Sequence, residues 1–350
     1  MRPIYNLRIS KAGLGFNHNV LKSMMKRPMS RIVIFVLTFF FFFQCTGPDE
    51  PRFSFSDKGR IAPEFSSGQA FKYIRTQVEF GPRNPNSPGH QQTRDFLYSE
   101  LQQFAGERNV FLQSFVHEGY EGETLHLHNI IAAFNLESSD RIVLAAHWDT
   151  RPRAEEDPDR PDDPIPGAND GGSGVGVLLE LARIMSENPP PIGVDIIFFD
   201  GEDYGETGDL QNYFLGARYW GNNPPVPGYN PRFGILLDMV GGEGAVFPKE
   251  GYSIRFAPSL VDAVWDVAAE LGYEELFPDR EGALVSDDHV IVERTTGIPM
   301  INIIHHERSE QGGALFPPYW HTHQDNMEII DRDVLQAIGD LMVELIYNRI

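Results

Sequence analysis

Short, almost wholly apolar runs recur along this 350-residue chain, and stretches of helical periodicity fill the gaps between them. Residues 127–134, 142–146, 194–199, 233–238 and 300–304 read as strands. Segments at about 68–80, 88–104, 174–185, 210–220, 259–271 and 334–347 read as helices. Strands that alternate with helices imply an α/β fold, and continuous apolar runs imply a sheet covered on both faces. The expectation is a single domain around a central mixed, mostly parallel β-sheet with helices on either side. The polar Glu137-Ser138-Ser139-Asp140 between the first two runs predicts a hairpin-like turn, which supplies the antiparallel part.

The same runs deliver acids and imidazoles. His147 and Asp149 follow 142–146, Glu202 and Asp203 follow 194–199, and Asp238 ends 233–238. Asp170 sits in the glycine-rich GANDGGSG just before a helix, Asp287, Asp288 and His289 form a block, and His321 lies in YWHTHQDN. Ligands of open α/β sheets bind beyond the carboxyl ends of the strands, so four of these elements, carrying His147 with Asp149, Asp170, Glu202 with Asp203, and Asp238, converge on one edge. Carboxylates and imidazoles are zinc ligands, and acids beside apolar strands are costly unless a cation compensates them. Taken singly, most have a plain explanation. His147 could be a hydrogen-bonded core histidine, Asp170 a helix cap, Asp238 an acceptor for backbone amides, and Asp325-Asn326 the start of a turn. The adjacent Glu202 and Asp203 are harder to explain that way, because they repel each other unless metal or proton is bound. Such a pair divides labour naturally, one acid ligating and its neighbour moving protons.

Other chemistries fail on spacing. Gly171-Gly172-Ser173-Gly174-Val175 lacks the closing glycine of a nucleophile elbow, and no HExxH, Walker loop or GxGxxG is present. With 50 acidic against 29 basic residues, a net charge of -21 repels nucleic acid and suits cationic partners such as free amino termini. Six of the acids cluster with four prolines in 152–164, read as a solvated loop or as an acidic rim near the site.

The only cysteine, Cys45, excludes an intrachain disulfide and a cysteine nucleophile in the catalytic region. Lys26, Arg27 and Arg31 precede the apolar run 32–43, and Cys45 follows it. That order predicts a leader over 1–45 of secretory or lipoprotein type, with Cys45 as the lipid anchor. The run is short for a permanent transmembrane helix. The expected location is therefore exported, periplasmic or membrane-anchored, with membrane contact only through this leader. Residues 46–65 are polar with prolines and read as a tether, leaving 66–350 as the catalytic domain.

HxD, then GANDGGSGV, an acidic pair after an apolar strand, LLDMVG and a late HT form a series that resembles the zinc-dependent aminopeptidase superfamily over about 68–350. Trp320 directly before His321, the Asp287-Asp288-His289 block and the wording FFDGEDYG are more similar to its glutaminyl cyclase (glutaminyl-peptide cyclotransferase) branch. The resemblance implies one zinc held by Asp170, Asp203 and His321. Asp203 is shorter than the glutamate common at that ligand position. It further implies Glu202 as general base and acid, Asp238 and Asp287 as an acidic network with it, and Trp320 with His289 at the substrate pocket. His147 matches a histidine that the cyclases keep near the metal without ligation, and Asp149 stands beside it. The activity implied is conversion of an N-terminal glutamine of peptide or protein substrates to pyroglutamate with release of ammonia. A two-zinc aminopeptidase is the alternative, with His147 and Asp238 on a second ion and Asp170 bridging. A surface-anchored binding lipoprotein is the third reading, and it predicts damaged ligand positions.

Overall fold

In the computed structural model, which describes residues 52–350, six strands form one sheet. They are β1 Val110–Glu118, β2 Thr124–Phe134, β3 Arg141–His147, β4 Gly193–Phe199, β5 Gly234–Asp238 and β6 Met300–Ile304. Their order across the sheet is β1-β2-β4-β3-β5-β6. The four from β4 to β6 run parallel, β2 lies antiparallel to β4, and β1 antiparallel to β2. A two-residue pair, β7 Glu307–Arg308 and β8 Ala314–Leu315, stands apart from the sheet. The helices are α1 Ser67–Glu79, α2 Pro88–Ala105, α3 Gly172–Glu187, α4 Leu215–Asn222, α5 Gly251–Phe256, α6 Pro258–Glu270, α7 Asp288–Thr296 and α8 Arg332–Glu344. Among the described residues no helix is long and apolar enough to cross a membrane.

Burial explains why the central strands read as unbroken apolar runs. Every residue of β4, β5 and β6 is buried. Alternate residues still serve different faces. Ile142, Leu144 and Ala146 of β3 join the larger core with α1, α3 and α8. Val143 and Ala145 face a second core built with Ala217 and Trp220 of α4 and Ile291 and Val292 of α7. The helix α3 passes very close to the sheet: a Cβ on Gly174 would meet the carbonyl oxygen of Leu237 at 2.2 Å. That approach brings the start of α3, and so Asp170, against the end of β5 that carries Asp238.

Three local expectations need correction. β2 and β3 do not form a hairpin, since β4 lies between them and pairs with both. The true hairpin is β1-β2, and β1 escapes sequence reading because most of its side chains are exposed or half-exposed. Residues 52–65, part of the presumed tether, lie on the core. The ring of Phe53 sits 5.3 Å from that of Phe233, Phe65 is buried, and the backbone N–H of Lys58 donates to the side chain of Asn348 at 3.2 Å. Aromatic residues at 53, 55 and 65 account for this, because each gains by leaving water. The expected leader, Cys45 included, lies outside the described residues.

Candidate metal centre and acidic pocket

The parallel strands end together, and the first residues beyond them build the site. His147 closes β3 and is wholly buried. Its Nε2 stands 3.1 Å from Oδ1 of Asp170 and 3.2 Å from Oδ1 of Asp238. His321 arrives from the loop after β8, and its Nε2 lies 3.7 Å from Oδ2 of Asp170 and 3.6 Å from Oδ1 of Asp203. Two donor groups result, Asp170–Asp203–His321 and His147–Asp170–Asp238, each with its ligand atoms within 4.8 Å of one another. Asp170 is common to both.

Buried acids hold the loops in place. Asp149 accepts from the backbone N–H groups of Glu202 at 3.0 Å and Asp203 at 3.2 Å, fixing the acid pair that follows β4. Asp325 does the same for the other loop, accepting from the N–H groups of Asn169 at 2.7 Å and Asp170 at 3.0 Å. Arg83 ties that loop to β3, donating to the carbonyls of Trp148 at 2.9 Å and Gly167 at 2.6 Å. Phe214, Met239 and His321 have left-handed backbones, with φ of 60°, 48° and 54°. Such conformations cost energy in residues with a side chain and concentrate where geometry is imposed for function.

Glu202, Asp238, Asp287, Trp320 and both carboxylates of the first donor group line one cavity of about 250 Å³. Met239, Val285, Ile304 and Phe316 give it an apolar side, and Thr207, Tyr213 and Ser286 add polar groups to the lining. The Trp320 ring stacks on that of His321 with centroids 3.5 Å apart.

Electrostatics follows from this crowding. Burial pushes the Glu202 and Asp203 carboxyls well above their usual range, against the opposing pull of His147 and Arg151 respectively. Asp238 rises to about 7, again chiefly through burial. For Asp170 burial also acts upward, but the hydrogen bond and charge of His147 outweigh it and leave the acid below its ordinary value. Burial lowers His321 to about 3, so its imidazole is neutral. These features fit a divalent cation. A neutral imidazole and carboxylates are its ligands, and Oδ2 of Asp203 is a buried oxygen without a hydrogen-bond partner.

Of the residues expected at the site, Asp149 belongs to neither donor group and acts as the clamp just described. His289 is not in the pocket. It lies wholly buried with Nε2 3.0 Å from Oε2 of Glu250, because α7 starts at Asp288 and its rotation turns the histidine away from Asp287. Asp325 does more than start a turn. Sequence reading missed Arg151, whose Nη1 donates to Oδ1 of Asp203 at 2.9 Å. Asp288, read only as part of its block, is buried with neither carboxylate oxygen hydrogen-bonded. The only signal for Arg151 was a cation two residues after Asp149 in an acid-rich stretch.

The family model of peptidase family M28 matches residues 129–346. The chain is 25% identical over 295 residues to glutaminyl-peptide cyclotransferase of Bos taurus, covering 74% of this chain and 76% of that protein. The solved structure of Bacteroides thetaiotaomicron glutaminyl cyclase bound to N-acetylhistamine superposes with a TM-score of 0.77 at 45% identity, over 82% of this chain and 99% of that one. A zinc-dependent exopeptidase from Parabacteroides distasonis gives 0.78, also at 45% identity, over 83% and 100%.

Proposed function

The chain belongs to peptidase family M28, and from that premise we propose that it is a zinc-dependent glutaminyl-peptide cyclotransferase, closing the N-terminal glutamine of peptides to pyroglutamate. The observation that carries this reading is the meeting of Asp170, Asp203 and His321 beside Glu202 in one cavity walled by Trp320. Those three residues would hold one zinc, with a further position left open. When bound, the ion supplies Lewis acidity at the side-chain amide carbonyl.

The other residues do the rest. Both reacting atoms belong to the glutamine residue, so the pocket needs chiefly to fold it into a near-attack shape. Trp320 and the apolar wall hold its methylenes and exclude water. Asp238 and Asp287 accept hydrogens of the α-amine and orient it. Glu202 takes the proton that the amine loses as its nitrogen bonds to the amide carbon, and returns it to the departing ammonia. The cationic N-terminus of a peptide suits a cavity lined by acids.

The second donor group, His147–Asp170–Asp238, favours a second reading, a two-zinc aminopeptidase. Incubation of the metal-loaded protein with glutaminyl and leucyl peptides separates the two. Ammonia with a pyroglutamyl product supports the cyclase, while free leucine without ammonia removes it. One zinc per chain is expected for the cyclase and two for the peptidase. Export, with attachment through 1–45, is part of the proposal and is supported by the basic residues, apolar run and Cys45 in that order.

A further inference from the structure

One acid of the proline-rich segment 152–164 is no solvated charge. Glu155 grips Arg151 with both oxygens: Nε of the arginine donates to Oε2 at 2.6 Å and Nη2 to Oε1. Arg151 is wholly buried. Its Nη1 donates to Oδ1 of Asp203 at 2.9 Å and to the Asp203 carbonyl at 3.0 Å, and its guanidinium lies over the Tyr213 ring, 5.3 Å from the centroid. Oε2 of Glu155 also faces Nδ1 of His321 at 3.9 Å. That is the outer nitrogen of the ring whose Nε2 points to Asp170 and Asp203. One carboxylate thus stands behind two of the three ligands, behind Asp203 through Arg151 and behind His321 directly.

A guanidinium is a rigid planar fork that is always charged, so its four engaged contacts fix the orientation of whatever it binds. Here it occupies one oxygen of Asp203. The other, Oδ2, is the buried atom without a partner. Oδ1 also faces Nε2 of His321, at 3.6 Å, so the arginine restrains the rotation of the carboxylate where the donor groups meet. We propose that Arg151 and Glu155 are positioning residues of the metal centre. Arg151 holds Oδ1 of Asp203 and so fixes the rotation of the carboxylate, which then meets the ion through one oxygen, and Glu155 fixes Arg151 while facing the outer nitrogen of His321. Single-point contacts from Asp170, Asp203 and His321 keep the coordination number low and a position free for substrate. The inference rests on the metal reading above and concerns what shapes that site.

The test uses the full catalytic protein stripped of metal and compares wild type with R151M, R151K and E155Q. Cobalt(II) titration followed by visible absorption reports coordination number, and competition with a chromogenic chelator reports zinc affinity. Wild type is expected to give the intense absorption of four-coordinate cobalt. R151M is expected to give the weaker absorption of a five-coordinate ion as Asp203 binds through both oxygens, with zinc affinity lowered about 10- to 100-fold, the usual effect of losing an outer partner. R151K, a point charge without the fork, should not rescue either reading. E155Q changes a half-buried side chain and keeps one oxygen toward Arg151, and it should lower zinc affinity by about tenfold, which keeps the test intact if R151M fails to fold. Unchanged cobalt spectra and zinc affinities, with only the melting temperature of the metal-free protein lowered, would overturn the proposal. So would tighter zinc binding by R151M, which would make the guanidinium a repelling charge. If wild type takes up neither ion, the metal reading falls and this inference with it.

Discussion

Glu250 offers the most quantitative test of the structure, through the variant E250Q. The carboxylate caps α5, and its two oxygens accept five hydrogen bonds. These come from the N–H groups of Tyr252, Ser253 and Val285, the Ser253 hydroxyl and Nε2 of His289, all within 3.0 Å. Burial alone would raise its pKa, but His289 and the Val285 and Tyr252 amides outweigh that and lower it from 4.5 to about 2. A folded pKa below the unfolded one contributes stability that is complete above about pH 4.5 and is lost as pH falls toward 2. At about 1.36 kcal/mol per unit, that contribution is about 3 kcal/mol at pH 7. A count of lost bonds agrees. Glutamine keeps one acceptor oxygen and leaves at least two donors unmatched, at about 1.5–3 kcal/mol each for bonds to a charged group. Glutamine mimics the protonated acid, so the two proteins should converge in acid, the gap shrinking to about 1 kcal/mol by pH 3. Urea unfolding of both proteins in metal-free form, at pH 7, 5, 4 and 3, measures the gap directly. A gap that does not narrow with acid, or one under about 1 kcal/mol at neutral pH, would refute the assignment of Glu250 as an ionised buried cap.

Two further outcomes are expected. E202Q should bind zinc with wild-type stoichiometry by elemental analysis and lose about 100- to 10,000-fold in turnover, the usual worth of a general acid–base; near-normal turnover would remove Glu202 from proton transfer. C45A expressed with its native leader should lose fatty-acid labelling and shift from the membrane to the soluble exported fraction, and unchanged labelling would exclude the cysteine as the attachment point.

Much of this was visible in the chain alone, for a physical reason. Strands buried on both faces read as uninterrupted apolar runs, and a charged residue just beyond such a run stands out. Asp203 and Asp238 were found that way, Asp170 by its glycine-rich loop and His321 by the motif around it, and their donor atoms meet in two groups that share Asp170. What failed depended on geometry that sequence adjacency hides. β1 carries Phe111 and Val116 into solvent, so its pattern is not that of a half-buried strand. His289 adjoins Asp287 in the chain, yet helical rotation sends the two side chains to different partners. Arg151 and Glu155 act through contacts to segments far along the chain, from a stretch whose composition suggests only solvent. The aromatic residues at 53, 55 and 65 were masked by the polar residues around them.

The placing of β4 has a consequence for biosynthesis. β2 and β3 leave the ribosome joined by only a short turn, but neither is the other's partner; the strand that belongs between them comes later, after α3. Until then both expose unpaired backbone edges, the surfaces through which nascent chains aggregate. The late strand also carries Glu202 and Asp203 at its end. Turnover therefore reports whether this central strand has been threaded home, and a fragment that stops short of Gly193 would be sticky as well as inert.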